Sequence, residues 1–335
     1  MRQIVVQEAE TGQRLDKLLS RYLKEAPKSF LYKMLRKKNI TLNGKKADGS
    51  EKVRTDDEIR IFFSDETYEK FAGQPGQKRS AYPVTDLKIL YEDDHILLIN
   101  KPAGMLTQKA NASDVSLNEY LLGYLERQGA HREVPENTVP VNYRFRPSVC
   151  NRLDRNTSGI VICGKSVAGL RKMSELLRDR TLHKYYQCLV TGRVTEPQKI
   201  KGFLKKDPTG NKVQIQTEKS VGADEIETEY RPLHVFSDST LLEVLLITGR
   251  SHQIRAHLAS QGHPIIGDYK YGNRRINEAY KKRYGLCSQL LHAGRLVFPE
   301  LEAPFEAVSC RCFEAALPPL MNRIIQDEKE ERQEM

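Results

Sequence analysis

The chain has 335 residues, 39% of them hydrophobic, enough for about two ordinary domain cores. A formal net charge of +10 favours a polyanionic partner, and no apolar run reaches the roughly 18 residues of a membrane span, so nucleic acid is expected and a membrane is not. The six cysteines form no Cys-x-x-Cys or paired Cys/His spacing, so neither a disulfide framework nor a zinc site is indicated, and the first residues lack a signal peptide's apolar core, so the reducing cytoplasm is expected.

In chain order, Leu15, Leu18, Leu19 and Leu23 recur at helical spacing, and Phe30, Leu31, Met34 and Leu35 repeat the pattern. The spacing predicts two short amphipathic helices over 14–23 and 28–38. The second carries Lys33, Arg36 and Lys37 on its other face and gives way to Ile40-Thr-Leu-Asn-Gly-Lys-Lys46, a strand entering an Asn-Gly turn. A closing strand is expected at Glu58 to Phe63. Residues 1–63 hold 15 Lys+Arg against 9 Asp+Glu, a net of +6, which concentrates the basic excess in a small N-terminal module. Residues 64–83, poor in large apolar side chains, read as a linker.

The second domain is expected over 84–326. Two apolar stretches around Glu92-Asp-Asp94 predict a hairpin that ends in the turn Lys101-Pro-Ala-Gly104. Leu117, Leu121 and Leu125 place a helix over 116–127 with Ser116 as its cap. The polar, proline-punctuated stretch 128–147 reads as a functional or mobile loop. It leads to Asn151-Arg-Leu-Asp-Arg-Asn-Thr-Ser-Gly159, in which Asp154 stands between Arg152 and Arg155 ahead of a buried strand. Two adjacent cations keep such a carboxylate ionised, and a held, ionised carboxylate suits a nucleophile or a base.

Ser166 caps a helix to about Asp179. In Lys184 to Gly192 the alternation puts Tyr186, Cys188 and Val190 on one face of a strand. Two or three strands are expected over 200–232, with turns at Pro208-Thr-Gly210 and Val221-Gly222, and another strand over 240–248 delivers Gly249-Arg-Ser-His-Gln-Ile-Arg255 onto a helix start. His252 and His257 are five apart and face differently, so no metal is expected there. A helix over 274–284, a strand pair at 290–297 and 305–310, and a last helix over 314–325 follow. The acidic tail, 327–335, reads as disordered.

Taken together, Lys101-Pro-Ala-Gly104, Arg152-Leu-Asp-Arg-Asn-Thr-Ser-Gly159, Thr248-Gly-Arg-Ser-His-Gln-Ile-Arg255 and Pro264-Ile-Ile-Gly-Asp268 resemble the ordered motifs of the RluA-type RNA pseudouridine synthases. The helix, basic helix and Asn-Gly hairpin of the N-terminus resemble the small RNA-binding domain named after ribosomal protein S-four. The resemblance implies an α+β fold: a small S-four-like RNA-binding module plus a catalytic domain built on a mixed, largely antiparallel sheet. The hairpin-rich strand pattern agrees with that class.

Carried over by position, Asp154 matches the family's catalytic aspartate, Tyr186 its active-site tyrosine and Arg255 the basic residue that pairs with the aspartate, with Arg250 as the alternative. Asn151, Arg152, Arg250 and His252 are expected to hold substrate, and Lys33, Arg36 and Lys37 to hold RNA phosphates. The family shows His where Asn151 stands, which bears on how substrate is held and not on the reaction. Isomerising uridine to pseudouridine breaks and remakes the base–sugar bond with no net redox change, so no cofactor is implied. The expected partner is RNA, namely large-subunit ribosomal RNA or its assembly intermediates, acted on by a monomer. A catalytically silent RNA-binding or ribosome-assembly factor is the competing reading, and the intact Asp154, Tyr186 and Arg255 argue against it.

Overall fold

The computed structural model describes residues 1–6, 10–72, 82–128, 146–207 and 212–333. Most of the loop expected over 128–147 and the turn expected at Pro208-Thr-Gly210 lie outside them. The chain divides into two compact units, 1–82 with 128–146, and 83–127 with 147–335.

In the first unit, α1 (Leu15–Tyr22) and α2 (Lys28–Arg36) bury Leu15, Leu18, Leu19, Leu31 and Leu35, the apolar stripes seen in the sequence. The strands β1 (Arg2–Val5), β2 (Ile40–Leu42), β3 (Lys45–Lys46) and β4 (Glu58–Ile61) form an antiparallel sheet in the order β1-β4-β2-β3. Asn43 and Gly44 both take positive φ, 51° and 72°, which a two-residue hairpin turn between β2 and β3 requires. Lys33 and Arg36 are exposed on α2, away from its buried stripe, and Lys37 is exposed at its C-terminal cap.

The first residues of the expected linker are a helix, α3 (Asp65–Ala72). Ser64 accepts a hydrogen bond from Thr67 N at 3.2 Å, and Phe71 lies against Phe30 with ring centroids 4.3 Å apart. Tyr68 and Phe71 pack on the core of the unit, so the module extends past Phe63 to Ala72. Two aromatic residues three apart behind a serine cap are a short helix's signature, hidden in a stretch otherwise poor in large apolar residues.

The second unit is built on one large sheet. Its strands are β5 (Ile89–Glu92), β6 (Ile96–Lys101), β7 (Ser148–Val149), β8 (Ser158–Gly164), β9 (His183–Thr191), β10 (Gln198–Lys206), β11 (Val213–Gln216), β12 (Ala223–Val235), β13 (Ser239–Leu246), β14 (Leu291–Val297) and β15 (Cys312–Glu314). The order is β11-β10-β12-β13-β9-β14-β8-β6-β5, with β7 added on β8 and β15 on β14. Every pairing between these strands is antiparallel except β14 with β8, so the sheet is mixed and the class α+β. At that parallel junction Gly159 has φ 116°, and a Cβ there would stand 2.2 Å from the Ala293 carbonyl oxygen, so only glycine fits.

The helices α4 (Leu117–Arg127), α5 (Val167–Arg178), α6 (Gln253–Ser260), α7 (Arg274–Tyr284) and α8 (Pro319–Gln333) cover the two faces of the sheet. Along β6 and β8, Leu97, Ile99, Val161 and Cys163 pack with α4 and α6, while Ile96, Leu98, Ile160 and Ile162 pack with α5. Both faces of these strands are buried, which is why they read as unbroken apolar runs. On β9, Tyr186, Cys188 and Val190 share the α6 face, as their alternation predicts.

Three C-terminal expectations are corrected. Residues 306–308 form a 3-10 turn, and the strand that pairs with β14 is β15, Cys312–Glu314. The last helix begins at Pro319, because the segment ahead of it is spent on β15. It runs to Gln333, so the acidic tail is helical over 327–333. Its acids have partners: Glu328 accepts from Tyr280 Oη at 2.5 Å and Ser239 Oγ at 2.7 Å, and Glu331 pairs with Arg283. Among the described residues no helix is long and apolar enough to cross a membrane.

Candidate active site

The loop between β7 and β8 carries Asp154 and is tied down from both sides. Thr107 Oγ1 donates to the Leu153 carbonyl at 2.8 Å and accepts from Leu153 N at 3.2 Å, and Thr157 N returns to the Asp154 carbonyl at 3.1 Å. Beneath the loop, Lys101 is fully buried and its Nζ donates to the carbonyls of Pro102, Met105 and Arg155 at 2.9, 2.9 and 3.2 Å. The turn Lys101-Pro-Ala-Gly104 is therefore the floor of the Asp154 loop as well as the end of β6. Burial pushes the Lys101 amine down to about 8, with the Asp154 charge opposing.

Lys101→Met is expected to unfold about 3 kcal/mol more easily near neutral pH, since three buried carbonyls lose their donor and only part of that loss is offset by removing a buried charge. Because the folded chain releases this proton before the unfolded chain does, wild-type stability gains from Lys101 as pH rises from about 8 to about 10.5, and the variant lacks that gain. Urea melts of both proteins across this window check the sign.

Asp154 does not pair with its sequence neighbours. Among the described residues its one ion pair comes from α6, Arg255 Nη1 at 2.8 Å on Oδ2, and His252 Nε2 stands 3.9 Å from the same oxygen. Arg152 and Arg155 are exposed, and Arg155 donates its Nε to the Gly104 carbonyl at 3.2 Å. Oδ1 of Asp154 is left without a hydrogen bond from the described residues. Arg255 is held from behind by Asp268, fully buried, through a two-pronged contact of 2.7 and 2.9 Å. Burial alone would raise the Asp268 carboxyl, but Arg255 and the N–H groups of Lys270 and Tyr271 outweigh it and hold it below its usual range. Asn277 on α7 fixes this turn, accepting from Gly267 N at 2.8 Å and donating to the Asp268 carbonyl at 2.9 Å.

His252 occupies the left-handed region, φ 57°, at the residue that starts α6, an uncommon conformation for a non-glycine residue. Its Nδ1 lies 2.9 Å from Tyr271 Oη, which also accepts from Val213 N at 2.9 Å. The Tyr271 hydroxyl proton is then available to Nδ1, and the imidazole can present Nε2–H toward Asp154. Burial holds His252 below its ordinary value despite the nearby Asp154, so it is neutral at pH 7.

Asp154, His252 and Arg255 line one cleft of about 600 Å³ that also includes Asn151, Arg152, Tyr186 and Arg250. Tyr186 is buried and its hydroxyl has no hydrogen-bond partner among the described residues; burial, and then the Asp154 charge, push it above its usual range. Arg250 lines the cleft but lies 3.1 Å from Asp224, leaving the Asp154 pairing to Arg255. The Asn151 amide is already engaged by β8, accepting from Ile162 N at 2.8 Å and lying 3.5 Å from the Ile160 carbonyl. It holds the loop on the strand. Asn151→His is expected to keep most activity, since an imidazole nitrogen can accept the same N–H. A tritium-release assay giving less than a tenth of wild-type turnover, with folding intact, contradicts that.

Lys33, Arg36 and Lys37 belong to the other unit. Sequence reasoning missed the roles of Lys101, Asp268 and Tyr271. A lysine closing a strand that opens with four apolar residues, and a Gly-Asp directly after Pro-Ile-Ile, were the available signals for the first two. Nothing in the spacing of Tyr271 marks it.

Among its described lining residues the cleft presents a single carboxylate, clamped by a buried arginine, beside further cations and a buried tyrosine, an arrangement suited to an enzyme with an anionic substrate. A family model described as RNA pseudouridylate synthase matches residues 95–260, and one described as S4 domain matches residues 13–59. Ribosomal large subunit pseudouridine synthase C of Vibrio cholerae is 32% identical over 314 residues, covering 91% of this chain and 93% of that protein. The protein of the same name from Escherichia coli is 34% identical over 317 residues, with 91% and 93% covered. Among solved structures, human RNA pseudouridylate synthase domain containing 4 shares the fold, with a TM-score of 0.57 at 21% identity over 72% of this chain and 92% of that one. The chain belongs to the RNA pseudouridylate synthase family and is an RNA-modifying enzyme of that class, as its four ordered motifs indicate.

Proposed function

We propose that this enzyme converts specific uridines of large-subunit ribosomal RNA to pseudouridine, with Asp154 as the catalytic carboxylate. The observation that carries the assignment is the chain Asp268–Arg255–Asp154, in which a buried acid orients an arginine whose free Nη1 holds Asp154 Oδ2 at 2.8 Å. Oδ1 then remains for the substrate. It can attack the anomeric carbon or take a proton from carbon-2′; both routes cleave the bond from N1 to carbon-1′ and need the same held charge. The uracil turns, carbon-5 bonds to carbon-1′ as Asp154 is displaced from it in the first route or as carbon-2′ regains its proton from Asp154 in the second, and the carbon-5 proton leaves as N1 gains one. Tyr186 offers its ring face to the detached base. Arg152, Arg250 and His252 surround the substrate, and a uridine in folded RNA must leave its stack to enter.

The names of the bacterial relatives support the ribosomal target, and the basic face of α2 supports an RNA anchor in the N-terminal module. We place the enzyme in the cytoplasm, acting as a monomer. Tritium release from carbon-5-labelled uridine in transcribed large-subunit RNA, followed by mapping of the modified positions, tests the reading; no release from that RNA overturns it.

Changing Lys33, Arg36 and Lys37 together to alanine is expected to weaken RNA binding and to flatten its salt dependence by roughly 2–3 in log–log slope, at about 0.7–0.9 per lost phosphate contact. All three are exposed, so stability should hold. An unchanged affinity and slope would remove α2 from the RNA-binding surface.

A further inference from the structure

Among the described residues six cations line the cleft, and acids of this chain already pair with three of them. Arg255 sits between Asp154 and Asp268, Arg250 lies 3.1 Å from Asp224, and Arg178 donates to Asp179 at 2.8 and 3.2 Å. Lys184 is different. It is half-buried, and among the described residues no carboxylate or other acceptor reaches its ammonium group. It leaves β9 two residues before Tyr186, so the two side chains stand on one face of the strand, roughly 6.5 Å apart along it.

Arg180 lines the same cleft just past the C-terminus of α5, at φ 61°, in a left-handed conformation that glycine usually fills at helix ends. Burial, and after it the Arg180 charge, lower the Lys184 amine from its usual value. Two like charges are thus kept together with no acid between them, an arrangement that an incoming anion relieves. The anions of an RNA substrate are its phosphates. A base resting on Tyr186 brings its own backbone to about the distance at which Lys184 stands.

We propose that Lys184, with Arg180 beside it, binds the backbone phosphate of the nucleotide whose base lies against Tyr186. This rests on the synthase reading above. The test uses the full chain and RNA carrying its mapped target uridine, prepared with a neutral methylphosphonate on either the 5′ or the 3′ side of that uridine. Lys184→Met keeps the aliphatic stem and removes the charge. It is expected to raise KM about tenfold, with a smaller fall in kcat, and to lower the salt slope of binding by about one. Lys184→Arg should recover most of the loss. Arg180→Gly keeps the turn and should raise KM less.

At one of the two positions the methylphosphonate should weaken wild type as much as Lys184→Met does, and add nothing in the variant, because one contact is lost only once. Unchanged KM and salt slope in Lys184→Met, or losses that multiply at both positions, overturn the proposal. Failure of wild type to form pseudouridine overturns the synthase reading alone. The phosphate contact is then read from the salt slopes of wild type and Lys184→Met on the transcribed RNA.

Discussion

Asp154→Asn is expected to fold, bind RNA and form no pseudouridine, with turnover lower by at least about ten thousand-fold. The amide keeps the size of the carboxylate, so the loop keeps its ties to Thr107 and Lys101, which act on the backbone. Arg255 keeps both hydrogen bonds to Asp268, so it is not left as an unpaired buried charge. What disappears is the negative charge on Oδ1, which attack at the anomeric carbon and proton removal from carbon-2′ both require. Tritium release and RNA binding, measured on the same preparation, separate chemistry from recognition. Robust release by this variant removes Asp154 from the chemistry and with it the role given to the cleft.

Much of the architecture was legible because it depends on periodicity. The stripes of α1 and α2, the Ser166 cap of α5, the alternation of β9 and the bounds of α7 each follow from residues close in sequence. The site was legible only through its motifs. Arg152 and Arg155 flank Asp154 in sequence but do not pair with it, because a loop pinned by Leu153 turns successive side chains in different directions. Arg255, a hundred and one residues away, pairs instead. Lys101 reads as part of a turn, and its contact with three carbonyls appears only once β6 and the Asp154 loop are stacked. The C-terminal acids read as a disordered tail because their partners, Tyr280, Ser239 and Arg283, come from other parts of the fold.

The second large effect is expected away from the substrate, at Asp268. Asp268→Asn keeps the shape of the side chain and one acceptor, but it removes the buried charge that opposes Arg255. Breaking such a pair from one side costs about 3–5 kcal/mol, and here the Lys270 and Tyr271 N–H groups also lose a charged acceptor. The folded state is therefore expected to be less stable by about 3 kcal/mol. Arg255 is then free to shift toward Asp154, and a displacement on the order of 1 Å at a reacting group lowers turnover roughly a hundredfold. Since Asp268 does not line the cleft, kcat should carry the loss and KM should change little. In an Asp154→Asn background the same change should reduce residual activity no further, because it acts only through Arg255 on the missing carboxylate. There is a pH signature as well. The Asp268 carboxyl is held below its usual range, so its stabilisation is complete above the unfolded value of about 3.9 and is lost as pH falls through the folded one. The stability gap between wild type and Asp268→Asn should thus be full at pH 7 and narrow below about pH 4. Wild-type kcat in this variant, or a gap independent of pH, would show that Arg255 holds Asp154 without help from behind.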